Sequence, residues 1–318
     1  MVLFSFIPYR FTYQIISALA VLLISANLLN AQVASIIRSD VPASNNRALT
    51  SRGSLKLLTW NLHLLPAVVI NKNQKARARG IAKVLSDSKY DVIVFQEALH
   101  RRARKIIWKV LSGEFPNQYG PRKGGFIKYS SGLWIVSKLE LKRQQHIAYS
   151  RCSKGTLDCR ARKGALLVEV EKGGITFQII GTHLQSKEGS QYQDVRNSQL
   201  KELKDLLITN KAESTPFIVI GDLNIAMNMT TDYQQMLSIL DVQNGELSGD
   251  YKFTADRKTN DMYPSEEAKG KVIDYILINS MGVEIEQVNR AVKIFRTNWR
   301  KKNKDLSDHY AVEAEIVY

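Results

Sequence analysis

Beyond residue 54 the chain is written in two alternating periods. Apolar residues at every second position, or in short unbroken runs, mark strands; apolar residues three and four apart mark helices. Leu55-Lys56-Leu57-Leu58-Thr59-Trp60-Asn61-Leu62 reads as a first strand that ends on Asn61 and His63. Residues 74–89 space Ala76, Ile81, Val84 and Leu85 along one face with Lys and Arg opposite, which predicts an amphipathic helix. Asp91-Val92-Ile93-Val94-Phe95-Gln96-Glu97 is an apolar strand closing on a carboxylate, and residues 101–111 form a helix with a strongly basic surface. Strands are expected at 132–137, 165–170 and 175–183, the last two joined by a Gly173-Gly174 hairpin turn. A helix over 194–208 then carries Leu200, Leu203, Leu206 and Leu207 on one face, before strands at 217–224, 272–278 and 310–317. No internal repeat or second linker interrupts the series. One domain over residues 54–318, two sheets between layers of helices, accounts for it.

The N-terminal part differs. Residues 11–29 carry no charge and are rich in Ile, Ala, Leu and Val, and Asn30-Ala31-Gln32 follows. A polar Ser/Asn-bearing tract stands behind them where a stop-transfer segment would be basic. That favours a signal peptide over residues 1–31, cleaved after Ala31, against an uncleaved anchor. Residues 32–53 then read as a linker, and the expected location is secreted or periplasmic.

Charge and cysteines add two constraints. A formal charge of +15 predicts attraction to polyanions, either nucleic acid or an anionic membrane face. The two cysteines, Cys152 and Cys159, are most simply a disulfide in an exported protein. A loop this short gains about 2.5 kcal/mol in the chain-entropy model.

Several apolar strands finish on residues able to hold a metal or a phosphate: Asn61, Glu97, His183, Asp222 with Asn224, Asp274 within its strand, and Asp308-His309. Each has an ordinary reading alone. Asn61 suits a turn, Glu97 a helix cap, Asp222 and Asn224 an Asx turn, His183 a hydrogen-bonded sheet edge. Acids buried beside strands are costly unless paired or metal-bound. The set together matches metal-assisted hydrolysis of a phosphate ester: hard oxygen ligands, amide and imidazole donors, and an imidazole base with a carboxylate partner.

The succession Thr59-Trp60-Asn61, Phe95-Gln96-Glu97, Gly181-Thr182-His183, Gly221-Asp222-Leu223-Asn224, Ile273-Asp274-Tyr275 and Ser307-Asp308-His309 resembles the endonuclease/exonuclease/phosphatase superfamily. The resemblance implies a four-layered α/β/β/α sandwich, two packed mixed β-sheets flanked by helices, with metal-dependent phosphodiesterase or phosphatase chemistry. Gly181-Thr182-His183-Leu184-Gln185, followed by Val195-Arg196-Asn197-Ser198-Gln199-Leu200-Lys201-Glu202 and preceded by Lys163-Gly164, is similar to secreted bacterial neutral, magnesium-dependent sphingomyelinases C. That resemblance implies peripheral contact with membrane and hydrolysis of sphingomyelin to ceramide and phosphocholine; no coiled-coil signal marks the sequence, and a monomer is expected. It implies Mg²⁺ on Glu97 supported by Asn61, with Mn²⁺ or Co²⁺ open alternatives. It makes His309 the base for the attacking water, oriented by Asp274. Asp222 and Asn224 position the water or a second metal, and His183 holds the phosphate. Asp308 is either a metal ligand or a group behind one.

Two places depart from the sphingomyelinase pattern. Glu188 stands where the family carries an acid after its His-Leu-Gln run, as a candidate substrate contact. Phe295-Arg296-Thr297-Asn298-Trp299-Arg300-Lys301-Lys302 falls where those toxins carry an aromatic membrane-inserting hairpin. Trp299 beside cations suits a lipid interface, and equally a packed indole near a solvated turn. Arg101-Arg102-Ala103-Arg104-Lys105 is either a solvated helix face or a polyanion contact. It keeps a DNase I-like nuclease open as the second reading, with a phosphoinositide phosphatase third.

Overall fold

Strands that are apolar on both faces must be covered on both. In the computed structural model, which describes residues 53–122, 129–205, 215–245 and 247–318, that requirement builds the sandwich. The expected signal peptide, and nearly all of the expected linker, lie outside these residues. In β1 (Ser54–Asn61), Leu55 and Leu57 face one core while Leu58 and Trp60 face another, all buried.

One sheet runs β3 (Asn117–Tyr119), β4 (Trp134–Ser137), β2 (Val92–Gln96), β1, β14 (Ala311–Val317), β11 (Gln287–Lys293), β9 (Leu247–Ser248). The other runs β10 (Asp274–Asn279), β8 (Phe217–Asp222), β7 (Ile175–His183), β6 (Gly164–Lys172), β5 (Gln144–Ala148). Both are mixed: β1–β2 and β7–β8 are parallel, β1–β14 and β8–β10 antiparallel. Between the sheets lie Leu57, Val94, Leu166, Ile179, Ile220 and Val312. Helices α1 (Gln74–Leu85) and α2 (Arg101–Leu111) cover the first sheet through Ile81 and Ile107 against Trp60 and Phe95. Helices α4 (Ser190–Leu203) and α5 (Thr230–Leu240) cover the second through Leu200 and Met236 against Val219 and Tyr275. The result is the four-layered α/β/β/α sandwich. All three cores are carried by residues between Leu55 and Ile316.

Some elements escaped the periodicity. β5 and β11 are largely exposed and polar, and β11 turns Arg290 inward where an apolar residue would have marked a strand. A two-stranded ribbon, β12 (Arg296–Arg300) and β13 (Asn303–Asp305), stands apart from both sheets. α1 stops at Leu85 because Ser86 leaves the helical region at ψ 144°, and Asp87 follows at φ 60°. The Gly173-Gly174 turn joins β6 to β7 with φ of 60° and 78°, both in the left-handed region a tight hairpin requires.

The inward stripe of each strand explains where the chemistry collects. It reads Leu55-Leu57-Thr59-Asn61 in β1, Phe177-Ile179-Gly181-His183 in β7 and Ile218-Ile220-Asp222 in β8. β10 runs the opposite way and reads Ile278-Ile276-Asp274. Every stripe turns polar at the same end of the sandwich. Register places His183 and Asp274 on either side of Asp222, and side chains at paired positions share a face. Close strand approach there depends on Gly221, at φ 146°, where an added Cβ would lie 2.0 Å from the Thr182 carbonyl oxygen. Gly221→Ala will therefore lower the thermal midpoint, with about 2–4 kcal/mol lost to overpacking and backbone strain. An unchanged midpoint would refute that packing constraint.

Candidate active site

His309 leads into β14 from a loop fixed at several points. Trp60 Nε1 donates to the His309 carbonyl at 2.9 Å, and Ser307 Oγ to the Asn61 carbonyl at 2.5 Å. The buried guanidinium of Arg77 donates to the carbonyls of Leu62 and Leu306 at 2.8 and 2.9 Å, pinning the end of β1 to the same loop. His309 Nδ1 lies 2.9 Å from Asp274 Oδ2, while its Nε2 lies 3.9 Å from Asp222 Oδ2. Asp222 is the hub. Its Oδ2 accepts from Asn61 Nδ2 at 3.0 Å and stands 3.3 Å from His183 Nε2, and its Oδ1 accepts from the Asn224 N–H at 3.0 Å.

On the other side Glu97 and Asp308 converge on His63. Their Oε2 and Oδ2 atoms each lie 3.3 Å from His63 Nδ1, and His63 Nε2 meets the Tyr263 hydroxyl at 2.9 Å. His63, Glu97 and Asn224 take φ of 47°, 52° and 51°. Left-handed backbone at non-glycine residues is sparsely populated and concentrates where a site over-determines it.

Burial alone would raise Glu97, but the hydrogen bond and charge of His63, with His183 and Lys163 beyond, hold it down at about 2. Burial disfavours the His63 cation as well, yet Asp308 and Glu97 lift it above the ordinary imidazole value. Burial likewise opposes charge on His309, and the carboxylates of Asp274 and Asp222 outweigh it, so its pKa is raised well above 6.5. Asp274 is raised by its own burial and by the neighbouring Asp222 charge.

The groups fit a hard divalent cation. Glu97 Oε2 is buried, and its contact with His63 Nδ1 at 3.3 Å leaves lone pairs of the ionised oxygen free for an ion. Oxygen ligands of this kind suit Mg²⁺. Asp308 and the Asn61 amide oxygen stand on the same side. A second grouping, Asp222, Asp274 and His309, has ligand atoms all within 4.8 Å of one another.

The structure thus gathers Asn61, Glu97, His183, Asp222, Asn224, Asp274, Asp308 and His309 at one end of the sandwich. The other two candidates make contacts of their own. Glu188 is exposed and ion-paired with Lys271. Trp299 is turned inward: its indole packs on the helix-side core of the first sheet and donates to the Asp305 carbonyl at 2.7 Å. The indole N–H is therefore committed within the ribbon. The tip of the ribbon holds Lys301 and Lys302 instead.

Sequence reading left His63 and Lys163 without a role. Lys163 is buried, and its ammonium lies 3.1 Å from His183 Nε2, 2.6 Å from the Leu184 carbonyl and 2.8 Å from Asp158 Oδ1. Asp158 sits on α3 (Leu157–Arg160), inside the loop closed by the Cys152–Cys159 disulfide. The Lys163-Gly164 step ahead of a strand was the signal that could have found it.

A sandwich of this order, gathering carboxylates, amides and imidazoles at the ends of its inner strands, defines a class. The model of the endonuclease/exonuclease/phosphatase family matches residues 58–309, and the chain belongs to that family. Among curated relatives, a sphingomyelinase C of Leptospira interrogans is 31% identical over 81% of this chain and 51% of its own length. The chain thus spans about half the length of the Leptospira relatives it matches. A phospholipase C of Staphylococcus aureus is 29% identical over 82% of this chain and 86% of its own. The structure of a doubly substituted beta toxin from Staphylococcus aureus, with bound magnesium ions, superposes with a TM-score of 0.74 at 25% identity, covering 82% of this chain and 99% of that one.

Proposed function

We propose that this protein is an exported, metal-dependent phosphodiesterase that hydrolyses sphingomyelin to ceramide and phosphocholine. The observation that carries it is the His309–Asp274 pair at 2.9 Å, linked through Asp222 and His183 to the groove that Glu97 lines. The names of its relatives supply the substrate class.

With Nδ1 committed to Asp274, His309 presents Nε2 to the cleft as a general base. A water loses its proton to Nε2 as its oxygen bonds phosphorus, and the bond from phosphorus to the ceramide oxygen breaks. The amide of Asn61 and the carboxylate of Asp222 hold that water beside the imidazole. Lys163 and His183, 3.1 Å apart, offer charge and hydrogen bonds to a non-bridging phosphate oxygen. A divalent ion on Glu97, with Asn61 and Asp308, would neutralise phosphate charge and stabilise the departing alkoxide.

The test is parallel assay of the protein lacking residues 1–31, with Mg²⁺, on sphingomyelin, a lysophospholipid and plasmid DNA. Phosphocholine release from sphingomyelin without nicking is expected. Nicked plasmid beside intact lipid would replace this reading with a nuclease.

A further inference from the structure

Soluble domains seldom leave large aliphatic side chains bare at the lip of a charged cleft. Here two of the few exposed ones flank the same opening: Val68 is 87% exposed and Leu157 50%. A turn in which the Val69 and Ile70 N–H groups both donate to the Pro66 carbonyl, at 2.8 and 3.2 Å, presents Val68 at its tip. Leu157 starts α3, inside the disulfide-closed loop. A groove of about 130 Å³ runs between them, with Leu65, Pro66, Val69, Leu99 and Tyr129 on its wall and Glu97, Lys163 and His183 also lining it.

The exposed charges on the helix after Leu99 and on the loop around Leu157 are basic. Exposed Arg101, Arg102 and Lys105 follow Leu99 on α2, and exposed Lys154, Arg160 and Arg162 flank Leu157. Arg160 belongs to the rim itself, since its carbonyl accepts from the N–H of Tyr129 at 2.8 Å. The one carboxylate in that loop, Asp158, is buried against Lys163 at 2.8 Å and adds no outward negative charge.

We propose that the 66–70 turn and the disulfide loop together form the face that docks this protein on an anionic lipid bilayer. Val68 and Leu157 enter the headgroup layer, and the surrounding cations meet acidic headgroups. Docking there opens the groove, and with it Glu97 and His183, toward the lipid surface. Nucleic acid would account for the cations but gives two protruding aliphatic tips no apolar partner. The proposal rests on the lipid reading for its purpose, and the experiment separates the two.

Protein lacking residues 1–31 is sedimented with vesicles of phosphatidylcholine and phosphatidylserine. Val68→Asp and Leu157→Asp should each reduce partitioning about tenfold, because a charge replaces an inserted aliphatic group. R101E/R102E should reduce it too, with a flatter dependence on salt. Val68→Asp should keep the wild-type rate on water-soluble p-nitrophenylphosphorylcholine, which shows an intact cleft. Unchanged vesicle binding by both aspartate variants overturns the proposal. So does an R101E/R102E protein that loses plasmid binding while keeping its vesicles. A wild type that turns over no phosphodiester, while Val68→Asp still abolishes vesicle binding, refutes the catalytic reading and leaves the docking face standing.

Discussion

His309→Gln will fold like the wild type and turn over substrate roughly 10²–10⁴-fold more slowly, the range carried by a positioned general base. The prediction follows from what each ring nitrogen touches. Nδ1 is bonded to Asp274 at 2.9 Å, so only Nε2 is left to take a proton. Glutamine keeps an N–H for Asp274 but offers no atom basic enough to accept from water. His309→Ala will be equally inactive and less stable, because it leaves a buried carboxylate without its partner. Turnover within a few-fold of wild type in the glutamine variant would end the assignment. The pH profile gives a second readout. Burial pulls the imidazole pKa down, and Asp274 and Asp222 more than offset it. Activity needs neutral His309, so the acidic limb of the rate profile tracks that raised pKa. Asp274→Asn removes the first of the two charges, and the limb should move to lower pH while the maximal rate falls. A limb that stays put would mean another group sets it.

The placement of the residues that end the inner strands was legible in the sequence for a geometric reason. Strand side chains alternate, so a polar residue two positions beyond the last inward apolar residue must also face inward. Asn61 follows Leu57 and Thr59 that way, His183 follows Ile179 and Gly181, and Asp222 follows Ile218 and Ile220. Knowing which residues ended their strands was enough to place them together. Residues set by loops carry no such periodic mark. His63 lies beyond β1 at φ 47°, where the alternation has broken, and nothing in the sequence said that it would stand between Glu97 and Asp308. Trp299 stayed open between two readings for another reason. On a two-stranded ribbon outside both sheets, alternation gives two faces but not which one is covered, and the structure covers the indole. Exposed Glu188 follows β7 in a loop, and its half-buried partner Lys271 is far away in sequence.

Glu97→Gln should raise the Mg²⁺ concentration needed for half-maximal activity about a hundredfold, as expected when an ionised ligand becomes a neutral amide. The carboxylate suits the task because it remains ionised in the cleft: burial opposes the charge, and His63 with His183 and Lys163 holds the pKa near 2. The isosteric amide removes that charge without opening a cavity. His63 should respond as well. Asp308 and Glu97 together raise its pKa against burial, so losing the Glu97 charge lowers it. A readout independent of turnover is the thermal midpoint. A ligand that binds the folded state stabilises it by mass action, so added Mg²⁺ should raise the wild-type midpoint and leave that of Glu97→Gln almost unmoved. Asp222→Asn separates the two oxygen clusters. If it abolishes the Mg²⁺ shift while Glu97→Gln keeps it, the ion belongs with Asp222, Asp274 and His309, and the base cannot be the imidazole that holds it. If Glu97→Gln alone abolishes the shift, ion and base occupy opposite sides of the Asp222 hub. That division leaves His309 free to carry a proton while the ion meets the phosphate.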